Sequence, residues 1–217
     1  MLKYVLCGSM ILLVAGAASA QDAKPDISKI PAVAAKAAEF AVEGWRVEET
    51  QTADLNADGV PDAVITLKDK DGERALIVAL ADGGKLKRVA ATADLLLCVD
   101  CGGVFYASGT PTGVSIQKNV IVIDNTAGSN EVSTSTFKFR FDQKANAFVL
   151  IGYDYEDNDR GRGVTNTESM NYLTGVRILS TSRILRSGKE QKGVPKRTTF
   201  KIKTINLDGF DAGKFEQ

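Results

Sequence analysis

The chain has 217 residues, 27 basic and 27 acidic, no histidine and no formal net charge, with 44% of its residues hydrophobic. Zero net charge points to neither nucleic acid nor an anionic surface. The missing imidazole excludes a histidine general base, a Ser-His-Asp triad and zinc sites with imidazole ligands, so an enzyme is the minority reading.

The first twenty residues read as a signal peptide. Lys3 gives the positive start, Tyr4 to Ala17 an apolar core, and Ala18-Ser19-Ala20 an A-x-A cleavage site before Gln21. No later stretch approaches the ~20 apolar residues of a transmembrane segment. The expectation is an exported chain, periplasmic or extracellular, whose residues 21–217 form a single mature domain. Cys7 sits inside the signal core, which argues against a lipid-anchored N-terminus.

Gln21 to Pro25 reads as a polar tether. Ser28 suits a helix N-cap and Pro31 is tolerated in a first turn. Ile30, Val33, Ala34, Ala37, Phe40 and Ala41 recur at helical spacing, so the pattern predicts a helix to about Val42, ended by Gly44. Trp45 follows as a core anchor. From there the period becomes that of strands.

The strongest local signal is Asp54-Leu55-Asn56-Ala57-Asp58-Gly59-Val60-Pro61-Asp62, running into the apolar strand Ala63 to Leu67. Oxygen side chains at positions 1, 3, 5 and 9 suit a loop that curls around one hard cation. Gly59 supplies the sharp turn and the Val60 carbonyl a further ligand. An EF-hand would need a glutamate at position 12, which is Ile65, so Asp62 must close the shell. Asp54, Asn56, Asp58, Val60 and Asp62 are the candidate ligands of a structural Ca²⁺. The plainer reading is a polar β-turn, since Asp, Asn and Gly favour turns anyway.

Turns at Asp69 to Gly72 and Ala81 to Gly84 separate strands at Ala75 to Leu80 and Leu86 to Val89. The unit from Thr52 to Ala91 resembles a single FG-GAP or VCBS-type repeat, whose motif is an Asp-x-Asn-x-Asp-Gly-x-x-Asp loop feeding a sheet. Such repeats come in arrays that close a propeller, and no second copy of the loop is present. The expected fold is therefore mainly β within an α+β class. An N-terminal helix would accompany an antiparallel sheet, with a calcium-loop unit at 52–91 and a meander at 92–217, and no full propeller.

Val114 to Gln117, Val120 to Asp124, Ser133 to Asp142 and Ala147 to Tyr155 read as meander strands. Phe137, Phe139 and Phe141 alternate with Lys138 and Arg140, the signature of a sheet with one wet face. Further strands are expected at Val176 to Leu179 and Thr198 to Ile205. The Leu97-Cys-x-x-Cys-Gly-Gly segment, Phe139-Arg140-Phe141, Leu150 to Asp154 and Asn171 to Gly175 together resemble a group of uncharacterised exported bacterial proteins. That resemblance implies a compartment and a shared fold but no activity.

Cys98 and Cys101 are the cysteines left after processing. In an oxidising compartment they are expected to pair in a small-loop disulfide. A thioredoxin-like redox pair would need a helix N-terminus at Cys98, and a zinc ribbon a second Cys pair; neither is evident. Asp154, Glu156, Asp157 and Asp159 form an acidic cluster in a predicted loop. It reads as a solvated loop, a second cation site, or a glycosidase-type carboxylate pair. Eight basic residues between Arg183 and Lys203 read as protection of an exposed sheet edge. The leading expectation is a non-catalytic binding protein of the cell envelope, with a protein or polysaccharide partner. The alternatives are a carbohydrate-active hydrolase and a thiol–disulfide partner.

Overall fold

The computed structural model describes residues 24–103 and 113–215. The predicted signal peptide and residues 104–112 lie outside the described residues.

Among the described residues thirteen strands alternate with turns in antiparallel order. In chain order β1 is Val33–Ala34, β2 Arg46–Ala53, β3 Asp62–Lys68, β4 Arg74–Asp82 and β5 Lys85–Thr92. After these come β6 Val114–Gln117, β7 Val120–Gly128, β8 Glu131–Asp142 and β9 Ala147–Asp159. The chain continues with β10 Val164–Asn171, β11 Val176–Ile184, β12 Glu190–Lys192 and β13 Lys196–Thr199. The first sheet has the order β1-β5-β4-β3-β2. The second runs β12-β11-β10-β9-β8-β7-β6, with β13 also pairing on β11.

The two sheets share a core. Val64, Leu76, Val78 and Ala90 from the first sheet meet Ile121, Ile123, Phe137, Phe139, Phe148 and Leu150 from the second. Each of the larger side chains contributes roughly 1.5–3 kcal/mol through removal from water. Side chains on the other face of β3 and β4, among them Ile65, Leu67 and Ile77, pack against Ile30, Ala34 and Phe40. The central strands of the first sheet are therefore covered on both sides, which explains why Ala63 to Leu67 is apolar without alternation. In the second sheet Phe137 and Phe139 are buried while Arg140 is exposed, giving the expected wet face.

The predicted helix over Ser28 to Val42 does not form. Two short 3-10 turns, Ile27–Lys29 and Ala37–Phe40, flank β1, and no α-helix occurs among the described residues. Asp26, not Ser28, caps the first turn, its side chain accepting from the Ser28 N–H. Ile30 is extended, at φ −65 and ψ 126, as expected for a residue preceding proline. Val33–Ala34 then adds an edge strand to β5. Ile30, Ala34 and Phe40 do point inward as their spacing suggested, but Val33 is half exposed.

The chain's last segment clasps the sheets together. Leu150 N–H donates to the Ile205 carbonyl and Leu207 N–H to that of Phe148, while Gly209 N–H donates to Ala91. Asp208 returns a side-chain acceptor to the Ala91 N–H. The strand predicted over Thr198 to Ile205 is confined to β13, and residues 200–205 leave the ladder. The basic residues Lys189, Lys192, Lys196 and Arg197 are exposed on or beside β12 and β13, along the sheet edge.

Candidate metal centre

The Asp54–Asp62 loop joins two neighbouring strands of the first sheet. Asp54 follows β2 and Asp62 is the first residue of β3. Left-handed backbone at Ala57 (φ 63) and Gly59 (φ 87) curls the chain between them. Buried Leu55 pins the loop into the shared core, and Gln143 of the β8–β9 turn donates to the Asn56 carbonyl at 2.6 Å.

The curl turns the oxygen side chains onto the loop's own amides. Asp54 accepts from the Asp58 N–H at 3.1 Å and the Gly59 N–H at 3.0 Å. The Asn56 side-chain oxygen also accepts from Asp58 N–H, and its amide donates to the Asp58 carboxylate at 2.8 Å. Asp58 accepts from the Val60 N–H at 2.8 Å. The Asn56 and Val60 hydrogen bonds hold the Asp58 carboxyl below the usual aspartate range, so it stays an anion in mildly acidic solution.

Asp62 differs from the rest. It is fully buried and accepts from the Leu55 N–H at 2.8 Å and the Ala81 N–H at 2.9 Å. Among the described residues no Lys or Arg pairs with it. The donor set of Asp54, Asn56, Asp58, Asp62 and a Val60 carbonyl is all hard oxygen, which suits Ca²⁺. Each carboxylate oxygen that takes one N–H keeps a further lone pair for a cation. Asp54, Asp58 and Asp62 nonetheless do not all bring ligand atoms within 4.8 Å of one another in this conformation. A closed shell needs these carboxylates to draw together.

The second acidic cluster is not a loop. Asp154, Glu156, Asp157 and Asp159 all lie within β9, paired on both sides by β8 and β10. Side chains alternate along a strand, so Asp154 and Glu156 face one side and Asp157 and Asp159 the other. The four cannot form one site. Lys138 donates to Asp154 at 2.5 Å, and Arg162 stands 3.4 Å from Asp159. Asp154 and Glu156 border a shallow depression of about 300 Å³ with Thr134, Thr136 and Thr167.

Cys98 and Cys101 are bonded to each other, with Cα atoms 5.1 Å apart. The surrounding residues form turns, so the helix N-terminus of a thioredoxin-like pair is absent there. Two charged clusters escaped the sequence reading. Glu48 accepts from Arg74 at 2.7 and 2.8 Å and from Lys68 at 2.8 Å. Glu168, which is buried, pairs with Arg177 from the neighbouring strand; its charge, after burial itself, raises the pKa of Tyr172. Only strand register brings these partners together, and short-range spacing carries no trace of it.

Compared with protein-family models, curated proteins and solved structures, the chain gives no match. No helix among the described residues is long and apolar enough to cross a membrane.

Proposed function

We propose that this chain is an exported, non-catalytic binding protein of the periplasm or cell exterior, whose Asp54–Asp62 loop takes a structural Ca²⁺. One observation carries the calcium reading. Asp62 is a fully buried carboxylate with backbone donors and no side-chain cation, at the base of a loop that gathers further hard oxygens. An anion held away from water is costly unless a counter-charge reaches it. Calcium supplies that charge, offsets most of the loop's negative charge and fixes the entry of β2 into β3.

The ion's place is at the seam of the sheets, since Gln143 from the second sheet reaches the Asn56 carbonyl. Binding there stiffens the scaffold and leaves the exposed face of the second sheet for an envelope protein or polysaccharide. The Cys98–Cys101 disulfide restrains the neighbouring turn. The FG-GAP or VCBS resemblance of residues 52–91 points the same way.

Calcium titration by calorimetry on residues 21–217 tests this reading. One site is expected, with Kd on the order of 10⁻⁴–10⁻³ M, as in extracellular modules. Heats indistinguishable from buffer dilution would refute it. Retention on immobilised envelope polysaccharide, lost when chelator is added, is the expected companion result.

A further inference from the structure

We infer that Glu73, Cys98 and Cys101 form a redox-gated Zn²⁺ site, closed while the cysteines are bonded and opened by a dithiol reductant. The three side chains offer ligand atoms within 4.8 Å of one another, the one such cluster among the described residues. While the two sulfurs are bonded they stand too close to ligate one zinc ion through separate Zn–S bonds of ~2.3 Å, so the site opens only on reduction. The cysteines have the C-x2-C spacing of zinc chelates, with Cα atoms 5.1 Å apart. A ribbon-type site would take its remaining ligands from a second Cys pair. Here the third ligand comes from a turn of the first sheet.

Contacts independent of the sulfurs hold that turn in place. Val99 N–H donates to the Gly72 carbonyl at 2.9 Å, and Arg74 donates to the Leu97 carbonyl at 3.3 Å. Asp69 accepts from the Glu73 N–H at 2.9 Å. The approach is so close that a Cβ on Gly72 would stand 3.1 Å from the Val99 Cβ. Glu73 therefore remains beside the cysteines whether or not they are bonded. Cys101 is exposed, so a dithiol can reach it.

In the reducing step the dithiol passes two electrons and two protons to the Cys98–Cys101 bond. Two thiols form, and the reductant leaves as its own disulfide. Zn²⁺ then binds both sulfurs as thiolates and the Glu73 carboxylate, releasing the two thiol protons to solvent. A fourth position stays open to water or to a partner's side chain. Soft thiolates favour zinc over calcium, so the site does not compete with the oxygen loop at Asp54.

The test uses residues 21–217 reduced with a phosphine, freed of reductant under nitrogen and kept in excess Ca²⁺. Zn²⁺ is titrated against a chromogenic chelator, and Co²⁺ serves as a spectroscopic probe of thiolate ligation. Reduced protein is expected to bind one equivalent, and disulfide-bonded protein none. Glu73→Gln should weaken zinc by about tenfold or more while keeping the thiolate–cobalt band; Cys98→Ser should lose that band. Equal binding by the reduced and bonded forms, or parental affinity in Glu73→Gln, would overturn the inference. Alkylation of the reduced parent needs no variant: zinc should slow modification of both cysteines, and an unchanged rate would count against the site. Calcium binding at Asp54–Asp62 affects none of these readouts.

Discussion

The two ends of strand β3 bury carboxylates in different company. Near the Lys68 end, Glu48 is enclosed by protein cations, its side chain 12% exposed and that of Arg74 2%. At the Asp62 end the carboxylate meets, among the described residues, the amides of Leu55 and Ala81 and no side-chain cation. The first end carries its own neutralising charge; the second has polarity without a positive ion. The proposed Ca²⁺ would supply that missing charge from solution.

The sharpest way to break that contrast is to remove a cation from the self-sufficient end. Arg74→Ala leaves the part-buried Glu48 to Lys68, and breaking such a pair costs up to about 3–5 kcal/mol. Urea unfolding measures it, and a loss under ~1 kcal/mol would make the two ends alike. Asp62→Ala strips acceptors from the buried Leu55 amide and the part-buried Ala81 amide, at roughly 1–3 kcal/mol for each unsatisfied group. A loss of about 2–4 kcal/mol is expected, smaller in Asp62→Asn, which keeps one acceptor oxygen.

Calcium separates the ends next. At a hundredfold excess over Kd, calcium should raise the Tm of the parent by about 5–10 °C. Asp58→Ala should abolish the rise, whereas Arg74→Ala should keep it although its Tm is lower throughout. Acid probes the opposite end. Burial pushes the Glu48 carboxyl upward, but the hydrogen bonds from Arg74 and Lys68 outweigh that and hold it below its ordinary 4.5. A lowered folded-state pKa contributes stability that is present above the unfolded value and lost as pH falls through the folded one. Denaturant midpoints should therefore drop below about pH 4 in the parent, and less steeply in Arg74→Ala. The smallest effect belongs to β9. Asp154→Asn and Glu156→Gln sit on a solvated face and should change stability by no more than ~0.5 kcal/mol, with the calcium response intact.

Legibility in the sequence followed the range of the interactions. Val114–Gln117 and the Phe137/Phe139 alternation are local patterns, and the strands stand where those patterns place them. The Asp54–Asp62 curl was readable because Gly59 and the alternating oxygens act within nine consecutive residues. The helix over Ser28 to Val42 failed because its apolar spacing serves equally to cover the outer face of β3 and β4, and Pro31 forces Ile30 to extend. The acidic residues Asp154 to Asp159 looked like a loop by composition, yet pairing with β8 and β10 on both sides keeps them in a strand. Glu73 beside Cys98, and Arg74 beside Glu48, depend on turn packing and cross-strand register over tens of residues, which no single segment encodes.

Amide chemical shifts followed during a Ca²⁺ titration test the calcium loop most directly. Saturable shifts led by Asp58, Gly59 and Val60, reaching Leu55 and Ala81 while Asp154 to Asp159 stay still, are the expected result. An absence of saturable shifts in the Asp54–Asp62 amides, or shifts led by β9 instead, would contradict it.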